Sequence, residues 1–503
     1  MKKSIWIAGI SAILIIAIVL AVVFRKSLFK PSNKGYSSAK NTHEPLTDIG
    51  FPKYYRSLLT DMFSYADSLG IADDINRVSV LKTYDSLVHL PGIDAKAIRT
   101  SSGLFFTNSA TQFLYNAAYG DTLDILYSGV KLTTDSTRIV NIVLKLAVNG
   151  NWQQALDSVE PSSIQYRILK SALNRINSLV KNYPSIDSVD TSSAFALRSN
   201  TILKLKAYGL INNNPERDSI SDGEFSSAIY RFQKMVHIDT SGTLDKTTIV
   251  SIQFPLRKRI TEIKRSLNFW RWSSRLAKQP FVLVNVAAAR LTVIGDPRVK
   301  ISMRVIPGKP DDKTPLFTAY FTKVTTYPYW VVPFSIETSE MLPRIQKSIS
   351  YLAKNDLEVM DRQGCVLDYT SIKWNQYSKR NFPFFIRQQS GCNDALGVLQ
   401  FSMNCPFDIY LHDTDIRELF GKTHRFLSHG CIRVQEPVLL AKYLLHDKFT
   451  ATDSIYVSQC LKGQKPKDIS MAEKIAAIVY YLTADVNEGG ELRFYKDMYD
   501  MEK

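Results

Sequence analysis

From Ile409 to Val434 the chain reads IYLHDTDIRELFGKTHRFLSHGCIRV. It closes on Ser428-His429-Gly430-Cys431-Ile432-Arg433, and another histidine, His412, lies 19 positions before Cys431 in an apolar, strand-like run. A cysteine reacts as its thiolate, and a neighbouring histidine is the usual device for drawing off the proton. Cys431 is therefore the candidate nucleophile and His412 its candidate base. Gly430 lets the backbone turn tightly, so that the N–H of Cys431 and its neighbours can face a developing oxyanion. Arg433, two residues on, falls on the same side of an extended chain, placed to hold a carboxylate or to buttress the loop. Taken alone, such a Cys-His pair is more often a small buried residue beside satisfied histidines than a reactive dyad. The surrounding pattern overturns that reading.

Strand signals dominate after Pro280. Residues 281–286, 290–294, 300–306 and 317–324 are rich in Val, Ile, Thr and Phe and bounded by Gly or Pro, which predicts a β-rich domain. Within it stand MRVIPGKPDDKTPLF (Met303 to Phe317) and YPYWVVP (Tyr327 to Pro333). With His412 and the Ser428–Arg433 motif, these runs resemble the L,D-transpeptidases of the YkuD type. The resemblance implies Cys431 as nucleophile, His412 as general base, and oxyanion-hole N–H groups from Gly430 and Cys431. It makes His429 and Ser428 orienting groups and leaves Asp413, directly after His412, as a possible third member of the site. Tyr410 and Arg433 become substrate-side residues. Trp330 and Tyr329 either line the cleft or pack the core, and Arg387 either binds a substrate carboxylate or pairs structurally. No metal or organic cofactor is implied.

The order of the remaining segments resembles the larger, multidomain members of that family, the YcbB group, and the expected class is α+β multidomain. Residues 46–194 read as a helical scaffold, with helices over 54–69, 110–119, 138–148 and 163–180; Leu58, Leu59, Met62, Phe63 and Tyr65 form an apolar stripe on the first. Residues 195–256, centred on Glu224 to Gln233 with a turn at Gly242, resemble a three-helix peptidoglycan-binding module. For Gln233 a helix-core role competes with contact to sugar or peptide. A connecting helix over 257–279 leads into a catalytic domain at 280–463, with a strand-free helical capping insert at about 336–378. Phe385-Ile386-Arg387-Gln388 then leads toward the catalytic strands, and 464–503 supplies strands that pack on the scaffold or the catalytic domain.

Length and charge bound the partners. The chain has 503 residues, 45% of them hydrophobic and 22% charged, enough for about three folded domains. A net charge of +16 favours anionic surfaces. With no zinc-finger spacing, RNP-like run or Lys/Arg block, that charge points to the cell envelope rather than to nucleic acid. The uncharged run Ser4–Phe24 is 21 residues long, enough to cross a bilayer, so residues 1–26 read as a cytoplasmic stub and single-pass inner-membrane anchor, with 27–45 as linker and the rest periplasmic. A cleaved signal peptide is the alternative. Of the five cysteines, an odd count outside the cytoplasm suits one free thiol, Cys431, with Cys365, Cys392, Cys405 and Cys460 open to pairing.

The implied function is peptidoglycan L,D-transpeptidation: a 3-3 cross-link between stem peptides through a thioester on Cys431, with peptidoglycan and other cell-wall synthesis proteins as partners and carbapenems as inhibitors. Two alternatives stand beside it. One is L,D-carboxypeptidase or amine-exchange activity at the same thiol; the other is a non-catalytic peptidoglycan-binding scaffold.

Overall fold

Strand β5, Phe317–Thr326, joins the sheets of the β-rich region together. Its sequence FTAYFTKVTT is aromatic and β-branched, and its ten residues are long enough to serve different neighbours at its two ends. In the computed structural model, which describes residues 50–71, 77–88, 95–187, 189–212, 220–276, 279–459, 461 and 463–502, the first half of β5 pairs with β1 (Tyr127–Ser128) and β13 (Ala476–Tyr480). The second half pairs with β9 (Leu399–Met403) and β12 (Lys467–Ser470). From β13 the order continues through β2 (Phe281–Asn285), β3 (Arg290–Ile294), β4 (Ser302–Ile306), β11 (Ile432–Val434) and β10 (Leu411–His412) to β9, and so back to β5. The strands form a closed ring. A ring leaves few free edges, and β2 and β13, buried along their whole length, are the continuous apolar runs that a central position demands.

The core inside the ring is not confined to it. One cluster of buried side chains runs from Leu169 and Leu173 through Phe225, Ile229 and Phe232 to Leu267 and Phe269, and on to Val284, Val305, Leu411, Ile432 and Tyr499. The helices Ile164–Asn182, Asp222–Met235 and Leu256–Ser273 thus share their apolar faces with the barrel. A separate cluster holds Gly50–Leu69, Ala95–Tyr119 and Ser136–Asn149 together through Leu59, Met62, Phe113 and Val143. The expected stripe on the first helix is buried except for Tyr65, which packs at its rim. Each scaffold helix found by periodicity is present; Gly50–Leu69 and Ala95–Tyr119 begin earlier than their apolar stripes suggest.

In the module around Gln233, the side chain is fully buried and saturated. Its amide nitrogen shares its two protons among Ser241 Oγ, the Thr243 carbonyl and Thr248 Oγ1 at 2.8–3.0 Å, and its oxygen accepts the Gly242 N–H at 2.8 Å. Gln233 is a structural brace for the Gly242 turn and offers nothing to a ligand.

The capping insert differs from expectation. It is not strand-free: β6 (Trp330–Val331), β8 (Phe385–Gln388) and β7 (Leu357–Met360) form an antiparallel sheet in that order. The run Phe385–Gln388 therefore belongs to the cap rather than to the approach to the catalytic strands. The helix expected over Met341 to Ala353 is broken into Leu342–Lys347 and Ser350–Lys354, preceded by a π-helical turn, Glu337–Met341. The cap has a core of its own, built on Ile345, Leu352, Val359, Trp374 and Ile386.

No helix among the described residues is long and apolar enough to cross a membrane; the expected anchor, Ser4–Phe24, lies outside them. The single-thiol expectation needs correction. Cys392 is disulfide-bonded, and Cys365 and Cys405 are free as well as Cys431.

Candidate active site

The site follows from strand parity. β10 and β11 pair in parallel with Leu411 opposite Ile432 and His412 opposite Arg433. Paired residues of neighbouring strands project to the same side, and alternate residues along a strand share a face. Leu411, Ile432 and Val434 therefore fill the core, where all three are fully buried. Tyr410, His412, Cys431 and Arg433 gather on the other face, and the Ile432 N–H bonds to the Tyr410 carbonyl at 3.1 Å, which holds the two strand entrances level.

The contacts agree. The Tyr410 hydroxyl is in hydrogen-bond contact with the Cys431 thiol, and the Tyr410 and His412 rings meet edge to face with centroids 5.8 Å apart. The thiol also reaches the Asp408 carbonyl at 3.7 Å. His412 is buried, and its Nδ1 has no hydrogen-bond partner among the described residues. The Nε of Arg433 is likewise unpartnered.

Burial dominates the electrostatics. It pushes the Cys431 thiol up to about 11 against the opposing influence of Tyr410 and Arg433. It also pushes His412 down to about 3, with the Arg433 charge acting in the same direction. At neutral pH the resting pair is a thiol beside a neutral imidazole, not a preformed thiolate–imidazolium pair. Because the thiol is the form stabilised by burial, alkylation of Cys431 by iodoacetamide is expected to climb about tenfold per pH unit from pH 7 to 10. A plateau below pH 8 in the labelling rate of the Cys431 peptide would show a preformed ion pair instead.

The loop before the nucleophile is pinned by Ser428. Its Oγ accepts the Gly430 N–H at 3.1 Å and donates to the Cys431 carbonyl. Gly430 has φ +112°, and a Cβ there would meet Ile409 Cδ1 at 3.2 Å, so this turn requires glycine. The pairing changes one expectation: the Gly430 N–H is taken by Ser428, whereas no acceptor among the described residues takes the Cys431 N–H.

Asp413 stands on the wrong face to orient His412. Its Oδ2 accepts the Val398 N–H at 3.1 Å, and its Oδ1 pairs with Arg417 at 2.7 Å. The carboxylate packs so closely on Gly397 that a Cβ there would lie 2.4 Å from Oδ2. His429 also points elsewhere: its Nε2 meets Glu340 Oε1 of the cap's π turn at 2.7 Å. The candidate substrate residues of the cap are engaged among themselves. Arg387 pairs with Glu358 across β7–β8 and lies 4.3 Å from the Tyr329 ring centroid, and Trp330 pairs with Gln388 in the cap sheet. Of the two readings for Arg387, structural pairing is the one realised.

Four contributors were not singled out from the sequence: Asp408, Glu340, Thr314 and Tyr499. Thr314 lies in the MRVIPGKPDDKTPLF run, but nothing in its spacing marks it as a neighbour of Gly430. A cavity of about 560 Å³ lies elsewhere, between Asp296, Tyr320, Tyr443 and Lys474. Side-chain chemistry, rather than that volume, marks the reactive centre.

Residues 279–456 match the family model for the L,D-transpeptidase catalytic domain, YkuD. This part of the chain is similar to the YkuD-type catalytic domain. The chain is also 30% identical over 223 residues to a protein of Haemophilus influenzae named "Putative L,D-transpeptidase", an alignment covering 44% of each. It thus spans less than half the length of that curated relative. An L,D-transpeptidase from Mycobacterium smegmatis is similar at 16% identity, over 40% of this chain and 58% of that one, with a TM-score of 0.17 that carries no argument. The matched stretch contains Cys431, His412, Tyr410 and Arg433, whereas Tyr499 lies beyond its boundary.

Proposed function

We propose that the chain is a peptidoglycan L,D-transpeptidase in which Cys431 is the nucleophile and His412 the general base. The observation that carries this reading is the parallel β10–β11 register, which puts a thiol, a neutral imidazole with its Nδ1 unpartnered among the described residues and a half-buried guanidinium on one face. The thiol turns from the Asp408 carbonyl as substrate enters, and His412 takes its proton. Sulfur attacks the carbonyl of the third residue of a donor tetrapeptide stem, a diamino acid. The Cys431 N–H faces the oxyanion, the amide C–N bond breaks, and the proton on His412 leaves with the amine of the terminal D-Ala. An amine of an acceptor stem then attacks the thioester, gives its proton to His412 and restores the thiol. Arg433 holds a substrate carboxylate in this reading.

Charge separation occurs only during attack, as the raised thiol and depressed imidazole require. On this reading the Ser4–Phe24 run anchors the chain and the catalytic unit faces the wall. The helical regions and cap serve a multidomain enzyme of the larger type, and carbapenems acylate Cys431.

The test is mass spectrometry of tetrapeptide muropeptides incubated with the full-length chain. Cross-linked dimers lacking one D-Ala are expected. Tripeptide monomers alone would establish hydrolysis in place of transfer, a D-amino acid exchanged for the terminal one would establish amine exchange, and unchanged muropeptides would overturn the enzymatic reading.

A further inference from the structure

The peptide bond between Gly430 and Cys431 is held by a pair of hydroxyls, Thr314 within the matched stretch and Tyr499 beyond it. Thr314 Oγ1 donates to the Gly430 carbonyl at 2.8 Å and accepts the Gly308 N–H at 2.9 Å. Tyr499 Oη accepts the Thr314 N–H at 3.1 Å and donates to the Gly308 carbonyl at 2.7 Å. Each hydroxyl has a single proton, and each faces one carbonyl and one N–H, so this proton arrangement is forced. Tyr499 and Thr314 are both buried. Tyr499 is itself fixed, with its ring stacked on Tyr481 at 5.3 Å and its N–H donated to the Tyr481 hydroxyl at 3.0 Å.

The same loop grips the motif at further points. The Leu427 and Ser428 N–H groups donate to the Pro307 carbonyl, both at 3.0 Å, and the Lys309 N–H donates to the Ser428 carbonyl at 2.9 Å. A Cβ on Gly308 would lie 2.1 Å from the Asp312 carbonyl oxygen, so the loop folds this tightly only around glycine.

A trans peptide is planar, with its C=O and N–H pointing in opposite directions. Holding the Gly430 carbonyl on one side therefore aims the Cys431 N–H at the other. We infer that Thr314 and Tyr499 are positioning residues that aim the Cys431 N–H at the oxyanion, so that the C-terminal segment completes the active site. The inference rests on the reading of Cys431 as an acyl-accepting nucleophile. It adds a requirement that this reading lacks, since Tyr499 lies 68 positions after the nucleophile.

Two reactions of one sulfur separate this role from general packing. Acylation by a carbapenem passes through an oxyanion; alkylation by iodoacetamide, a displacement at saturated carbon, does not. Rates are read on the Cys431 peptide by mass spectrometry, using the full-length chain, so that Cys365 and Cys405 do not contribute.

Tyr499→Phe keeps the stacked ring and loses only the hydroxyl, and is expected to slow acylation about tenfold; Thr314→Val is expected to slow it about thirtyfold, both below the full loss of an oxyanion donor. Alkylation should stay within about twofold, and Thr314→Ser, which keeps the donor, should restore most of the acylation rate. The inference is overturned if acylation stays within about threefold of the unaltered chain in both variants, if acylation and alkylation fall together, or if Thr314→Ser behaves like Thr314→Val. An unaltered chain that alkylates at Cys431 but is never acylated would sink the nucleophile reading itself, and this inference with it.

Discussion

Cys431→Ala is expected to reduce D-Ala release and cross-link formation to background, a loss of at least about four orders of magnitude. No other free thiol among the described residues can substitute. Cys405 hydrogen-bonds the Phe407 and Ile409 carbonyls at 3.5 and 3.8 Å, and Cys365 is exposed in the cap. Neither belongs to the face that carries His412. Folding should barely change, by less than about 1 kcal/mol, because the lost thiol makes only weak polar contacts and its burial already disfavours the charged form. Product analysis beside a denaturant melt checks both halves. Retained turnover would remove Cys431 from the mechanism, and retained wall binding with no turnover in either chain would favour the scaffold reading.

His412→Ala is expected to lower transfer about a thousandfold, within the range for loss of a general base, while His429→Ala should cost less than about tenfold. The difference follows from position. His412 lies on the thiol's face with Nδ1 unpartnered; His429 reaches outward to Glu340, and both partners of that contact are more than a third exposed. Rates of D-Ala release for the two variants decide the assignment, and equal losses would overturn it.

His412→Ala has a second readout in stability against pH. The unfolded imidazole binds a proton near 6.5, whereas the folded one is held down to about 3. Below pH 6.5 the unfolded chain therefore takes up the proton that the folded chain refuses, and stability falls as pH drops toward 3. The variant should lose that part of the acid limb.

Much of the site was legible because its residues obey a two-residue period. His412 and Tyr410 alternate with Leu411, and Cys431 and Arg433 alternate with Ile432 and Val434, so once both runs are read as strands the reactive set falls on one face. The same parity argument excludes Asp413 and was available from the sequence; adjacency to His412 obscured it. The barrel strands were readable for a similar reason, since β2 to β5 are dense in Val, Ile, Thr and Phe. The cap sheet was less so, because β6 has two residues and pairs with β8, more than 50 positions away. Thr314 and Tyr499 left no local signal. A buried hydroxyl shared between two distant loops is specified only by the closed ring that brings those loops together.

That ring has a consequence for when activity arises. β13 lies between β5 and β2, although 149 residues separate it from β5 in the chain and 190 from β2. During synthesis, every other strand of the ring can be complete while the ring still gapes at this position. Residues 476–480 close it, and Tyr499 follows 19 positions later. A chain emerging from its N-terminus therefore carries Cys431 for nearly 70 residues of further synthesis without an assembled site around it, and the candidate site comes into being only as residues 476–499 arrive.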